Sequence, residues 1–129
     1  MEGMSYFHKW EDFPKKINPK KGNSGEIVST EKVLVKRGRV EPGVNFDGSL
    51  HRHQEDQFMV MISGKLKMKI DTEEDWIENG GFSVIPGNVW HGLLEVGKEG
   101  AEYYEIMGPG RMDYLMGFVG IVGNEYKSK

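Results

Sequence analysis

Three features of the 129-residue sequence predict an all-β protein, a sandwich or barrel of many short strands. Apolar residues recur mostly at every second position, in short segments. Glycine supplies 18 residues, scattered between those segments rather than repeated at a fixed period, as a fold with many tight turns requires. No stretch keeps the three-to-four-residue apolar spacing of a helix over an ordinary helix's length. The length suits one domain, enough to bury a core and too short for two.

Composition excludes several classes of function. The formal net charge is −3 with interspersed signs, which gives no surface for nucleic acid. No apolar run approaches the roughly 20 residues of a membrane helix. The first ten residues are too polar for a secretory signal. A cytoplasmic protein, associated with neither nucleic acid nor membrane, is the expectation. Cysteine is absent, so disulfides and thiolate metal sites are ruled out.

Residues 1–30 read as an N-terminal arm and loop. Tyr6, Phe7, Trp10 and Phe13 would dock the arm, and the Lys/Pro/Asn/Gly-rich stretch Pro14 to Gly25 would be mobile. His8 belongs to no spacing pattern and reads as a solvated side chain. A single barrel is expected over 31–123, followed by a flexible terminus at 124–129. Val33, Val35 and Arg37 alternate against Leu34, Lys36 and Gly38, a strand over 32–40 that Glu41-Pro42-Gly43 turns.

From Gln57 to Ser63 both parities are apolar or nearly so, the pattern of a strand buried on both faces. In a single small barrel the outer face should be wet. Phe58, Val60 and Ile62 therefore need cover, and a second subunit supplies it: a homodimer is expected. Ser63-Gly64-Lys65 reads as a hairpin turn before the alternation of Lys65–Ile70, with Leu66, Met68 and Ile70 inside. Trp76-Ile-Glu-Asn-Gly-Gly81 ends a short strand in a glycine turn, and further strands follow at 82–85, 91–96 and 101–107, with a loop at Gly97–Gly100. Gly108-Pro109-Gly110-Arg111 breaks the pattern before an apolar, glycine-punctuated tail at 114–122.

The chemistry centres on four residues. His51 and His53 sit two apart in an extended segment, so both imidazoles project to one side. Gln57 shares their parity, and His91 opens a later strand. Three imidazoles and one side-chain oxygen suit a borderline divalent ion such as Zn, Ni, Fe or Mn. Glu55 has the same parity and competes as a ligand. Met59, Met61 and Met68 read as lining, since thioethers suit softer metals. Trp90, at opposite parity to His91, reads as a packing residue.

The spacing resembles the cupin superfamily. Its first motif, G-x5-H-x-H-x3or4-E-x6-G, is matched at its core by His51-x-His53, Gln57 after three residues and Gly64 after six more. Its second, G-x5-P-x-G-x2-H-x3-N, is matched by Gly80, Pro86 and His91. Gln57 replaces the usual Glu, Asn88 stands where Gly is preferred, Gly43 lies two residues early, and Glu95 occupies the place of the final Asn. The resemblance implies a double-stranded β-helix, the jelly-roll barrel, with His51, His53, Gln57 and His91 as metal ligands.

A narrower likeness follows. Glu105-Ile-Met107-Gly-Pro109-Gly-Arg111-Met-Asp113-Tyr114-Leu115 is similar to the D-x-F-[ST]-P-x-R-x-D-[FY]-L segment of a branch of small cupins. That branch includes the pectin-degradation cupins, which linearise 4,5-unsaturated uronates. The likeness implies that Glu105 is the acid and Arg111 the arginine beside the metal. Arg111 fits two roles, a fork for a substrate carboxylate or a structural partner of Asp113. Glu105 fits a cleft acid or a surface charge. The implied function is non-redox metal catalysis (isomerase, lyase or ring opening) on a small anionic or hydroxylated substrate. A quercetinase-like dioxygenase and a non-enzymatic ligand-binding barrel are the alternatives.

Overall fold

Two long strands carry the architecture in the computed structural model, which describes residues 6–17, 22–109 and 124–128. β5 (Asp56–Ile70) and β8 (His91–Gly108) run antiparallel along their whole length, from Asp56↔Gly108 to Ile70↔His91. Both bend in the middle, where the register shifts between Met61 and Ser63 and again between Gly64 and Leu66. Gly64 (φ +70°) makes the bend possible, because a side chain there would strike the carbonyl of Gly100, itself at φ +77° on the facing strand.

Among the described residues the strands form one nine-stranded sheet, which the bend folds into two halves. On one, β1 (Lys15–Ile17), β2 (Asn23–Ser29) and β3 (Leu34–Val40) extend the second half of β8, while β7 (Phe82–Ile85) pairs with the first half of β5. On the other, β4 (His51–Arg52) joins the first half of β8, and β6 (Glu73–Ile77) joins the second half of β5. Between them lies a core of Val40, Met59, Met61, Leu66, Met68, Ile77, Ile85, Ala101 and Tyr103. The β2–β3–β8 wall is tied by Arg39 on Glu26 and by Arg37 on Glu102 at 2.6 Å. Among the described residues no helix is long and apolar enough to cross a membrane.

The all-β expectation holds, and several local expectations change. Ser63-Gly64-Lys65 is not a hairpin: the chain continues forward, and residues 65–70 cross to the other half of the sheet. The same is true at Gly97–Gly100, which lies inside β8. The stretch read as arm and loop contains β1 and β2, because β2 finds a full seven-residue partner in β3. Tyr6 and Phe7 are almost fully exposed, and Trp10 meets the barrel, 5.9 Å from Tyr104. His8 lies exposed against Phe13. The terminus read as flexible forms β9 (Glu125–Tyr126) on β4, held by the Arg52–Glu125 ion pair at 2.9 Å. Arg111 and the apolar tail at 114–122 lie outside the described residues.

Candidate metal centre

Two turns set the histidines. The chain leaves β4 through His53 and enters β5 at Asp56, and the Pro86-Gly87-Asn88 turn sits against that passage. Asn88 N–H donates to the His53 carbonyl (2.7 Å), and Gly87 N–H donates to Asp56 Oδ1 (2.7 Å). A side chain at Gly87 would collide with the Gln54 carbonyl, while Asn88 adopts φ +66°, which asparagine tolerates better than most residues. His91 then opens β8 directly opposite His51.

The three imidazoles converge. Ring centroids are 4.4 Å apart for His51–His91, 5.0 Å for His53–His91 and 6.0 Å for His51–His53. One nitrogen from each lies within 4.8 Å of the others, a spacing that can hold a metal ion. His53 and His91 are buried, and His51 is half-buried.

Hydrogen bonds select the nitrogens. His91 Nδ1–H donates to the Val89 carbonyl at 2.8 Å, which leaves the Nε2 lone pair facing the other two rings. That Nε2 is buried with no hydrogen-bond partner. His53 Nδ1–H donates to the Glu55 carbonyl at 3.0 Å, so in the neutral ring Nε2 also carries a lone pair. It faces Gln57 Oε1 at 3.0 Å. The Gln57 amide is oriented by its donors, since Nε2–H goes to Glu105 Oε1 (2.8 Å) and to Met59 Sδ (3.3 Å). Acceptors facing acceptors in a buried pocket are unfavourable without a cation between them. The donor set therefore fits a divalent ion.

Burial holds the His91 pKa down at about 4, with His53 adding to the shift and the Val89 hydrogen bond opposing it. A neutral, unpartnered imidazole is what metal coordination uses. Glu55 lies on the far edge of His53, its carboxylate 3.6 Å from Nδ1, so it does not compete for the centre. Trp90 faces away, under Arg52 (4.4 Å from its ring), and packs as expected. Of the two implied polar residues beside the metal, Glu105 reaches the centre through Gln57. One inward residue escaped attention in the sequence: Lys36, buried on the inner face of β3. The available signal was its parity, shared with Leu34 and Val40.

A long antiparallel pair bent across one curled sheet, with three histidines at one end, defines a jelly-roll barrel with a candidate metal site. The family described as "Cupin domain" matches residues 36–107, more than half of the chain, and the chain belongs to that family. Solved structures agree on the fold. An RmlC-like cupin from Shewanella frigidimarina is 17% identical, with TM-score 0.74 over 89% of this chain and 100% of its own. KdgF from Halomonas sp. is 19% identical, with TM-score 0.72 over 87% and 100%. Oxalate decarboxylase from Bacillus subtilis is 22% identical, with TM-score 0.67 over 80% of this chain and 28% of its own. No curated protein matches the chain.

Proposed function

We propose that this cupin is a non-redox metal enzyme, an isomerase, lyase or ring-opening catalyst acting on a small sugar acid or polyhydroxylated compound. His51, His53, Gln57 and His91 hold a divalent ion such as Zn, Ni, Fe or Mn. The observation that carries this reading is the Gln57 amide, locked by Glu105 with its oxygen toward the histidines. A donor set of three imidazoles and an amide is uncharged. A divalent ion held there keeps its full charge, polarises an oxygen of the substrate and favours anionic or hydroxylated ligands. Oxygen-activating iron ordinarily uses two histidines and a carboxylate, and no carboxylate occupies the fourth place here.

Glu105 stands one hydrogen bond behind the ligand, where its other oxygen can take a proton from a bound substrate and return it. The sequence likeness to uronate-linearising cupins assigns Arg111 to the substrate carboxylate, a role for its planar fork. Met59 and Met61 line the interior and keep water from the reacting centre.

The enzyme works as a homodimer in this reading. Phe58 and Phe82 stack loosely on the outer face (6.5 Å between rings), 40% and 62% exposed, with Val84 beside them. A second copy covers that patch.

The test loads the protein anaerobically with Zn, Ni or Mn and supplies 4,5-unsaturated uronates, following loss of the conjugated chromophore. Turnover without oxygen supports the reading. Oxygen consumption by the Fe-loaded protein, with no anaerobic turnover, overturns it.

A further inference from the structure

Lys36 occupies a core position. The inner face of β3 presents Leu34, Lys36, Gly38 and Val40, and Lys36 is only 7% exposed. Its aliphatic stem crosses Gly25, where an added Cβ would come within 3.0 Å of Lys36 Cε. Its ammonium ends 5.8 Å from the centroid of the Tyr103 ring. The Tyr103 ring in turn lies over Gly38, and any side chain at Gly38 would overlap it. Gly25 and Gly38 are register partners on β2 and β3. Two missing side chains, side by side, make the channel that Lys36 and Tyr103 fill.

A lysine built into a core in this way needs a countercharge. Across the strands, Lys36 stands in register with Glu105, and Glu105 in register with Met59. Burial pushes the Lys36 pKa down, but the attraction of Tyr103 and Glu105 outweighs it and holds the value above that of an ordinary lysine. Being buried, Lys36 acts on its neighbours and not on a ligand. On its other side Glu105 meets the centre: Gln57 Nε2–H donates to Glu105 Oε1 (2.8 Å), and Gln57 Oε1 faces His53 Nε2 (3.0 Å).

We propose that Lys36 is a positioning residue for the metal centre. With Tyr103 it holds the Glu105 carboxylate against the Gln57 amide, which keeps the Gln57 oxygen turned toward the three histidines. Such partners behind a ligand tune metal affinity by about 10–100-fold. Without the cation, Glu105 swings off the amide, and Gln57 loses the donor contact that fixes which end faces the ion.

The inference rests on the metal reading above, and cobalt(II) tests the two separately. Affinity by chelator competition and the visible spectrum of the Co-loaded protein are measured for the wild type, Lys36→Met, Lys36→Arg, Gln57→Ala and the Lys36→Met/Gln57→Ala double variant. Lys36→Met is expected to weaken Co binding about tenfold or more and to shift the spectrum toward that of Gln57→Ala, with Lys36→Arg restoring both. In the Gln57→Ala background, Lys36→Met should have little further effect. A folded Lys36→Met protein with wild-type affinity and spectrum overturns the proposal, as does an undiminished effect without Gln57. If Lys36→Met does not fold, Tyr103→Phe replaces it, keeping the ring over Gly38 and removing the hydroxyl. Weakened Co binding by that variant supports the proposal, and unchanged binding overturns it. A wild type that binds no cobalt overturns the metal reading itself.

Discussion

His51 and His91 face each other directly across β4 and β8, their ring centroids 4.4 Å apart. The pairing places two ligands opposite each other by backbone register. Since His91 is buried and its Nε2 has no other partner, its loss cannot be made good by a neighbour or by water. His91→Ala is expected to remove most of the bound metal, with the metal-to-protein ratio after dialysis as the measurement. A ratio equal to the wild type's would remove His91 from the centre.

The same histidine predicts how the metal-free protein responds to acid. In the folded chain its pKa is about 4, against an ordinary 6.5. Between those values the unfolded chain binds the proton and the folded chain does not, so acid favours unfolding. The contribution is complete above pH 6.5 and is lost as pH falls toward 4. At about 1.4 kcal/mol per pKa unit the loss approaches about 3 kcal/mol. Urea unfolding of chelator-treated protein at pH 7 and pH 4.5 measures it, and His91→Asn should flatten the dependence.

Glu105 accepts from Gln57, and a glutamine at 105 can still accept through its amide oxygen. Glu105→Gln is therefore expected to retain the metal and lose turnover by about 100-fold or more, the scale of a missing proton-transfer group. Glu105→Ala should lose both turnover and part of the metal affinity. Steady-state kinetics beside metal analysis distinguishes the two, and a fully active Glu105→Gln protein moves the proton-transfer role elsewhere.

Arg111, assigned by sequence likeness alone, has a separable signature. Arg111→Ala should raise KM for an anionic substrate and leave metal content unchanged. A loss of melting temperature with unaltered kinetics would instead mark a structural arginine.

The outer face of β5 and β7 predicts the oligomeric state. Phe58→Asp with Phe82→Lys puts charge into the apolar patch and should give a monomer by sedimentation at micromolar concentration. A wild-type protein that is already monomeric there refutes the dimer.

Much of the site was legible because it depends on parity. Two histidines two apart on an extended chain share a side whatever the fold around them, and His91 was marked by the Pro86 turn. The roles of Ser63-Gly64-Lys65 and Gly97–Gly100 were not legible. A glycine at positive φ serves equally where a chain reverses and where a strand bends within its sheet, and only long-range pairing decides. β9 was hidden for a related reason: two residues carry no periodicity, and Glu125 and Tyr126 become a strand only when Arg52 and His51 are beside them. Lys36 illustrates a third limit. Alternation showed that it shared a face with Leu34, but lysine ordinarily overrides such a pattern, and only the Gly25–Gly38 pairing explains its burial.

The long pairing of β5 with β8 also has a kinetic consequence. It begins at Asp56↔Gly108 and closes at Ile70↔His91, so segments far apart in sequence must join before the histidines meet. Topologies of this kind fold slowly, because loop closure precedes the contacts that reward it. Until the ligands, dispersed along the chain, have come together, an ion has nothing complete to bind. Metal should therefore leave the folding rate nearly unchanged and act on the reverse step, slowing unfolding in proportion to its affinity.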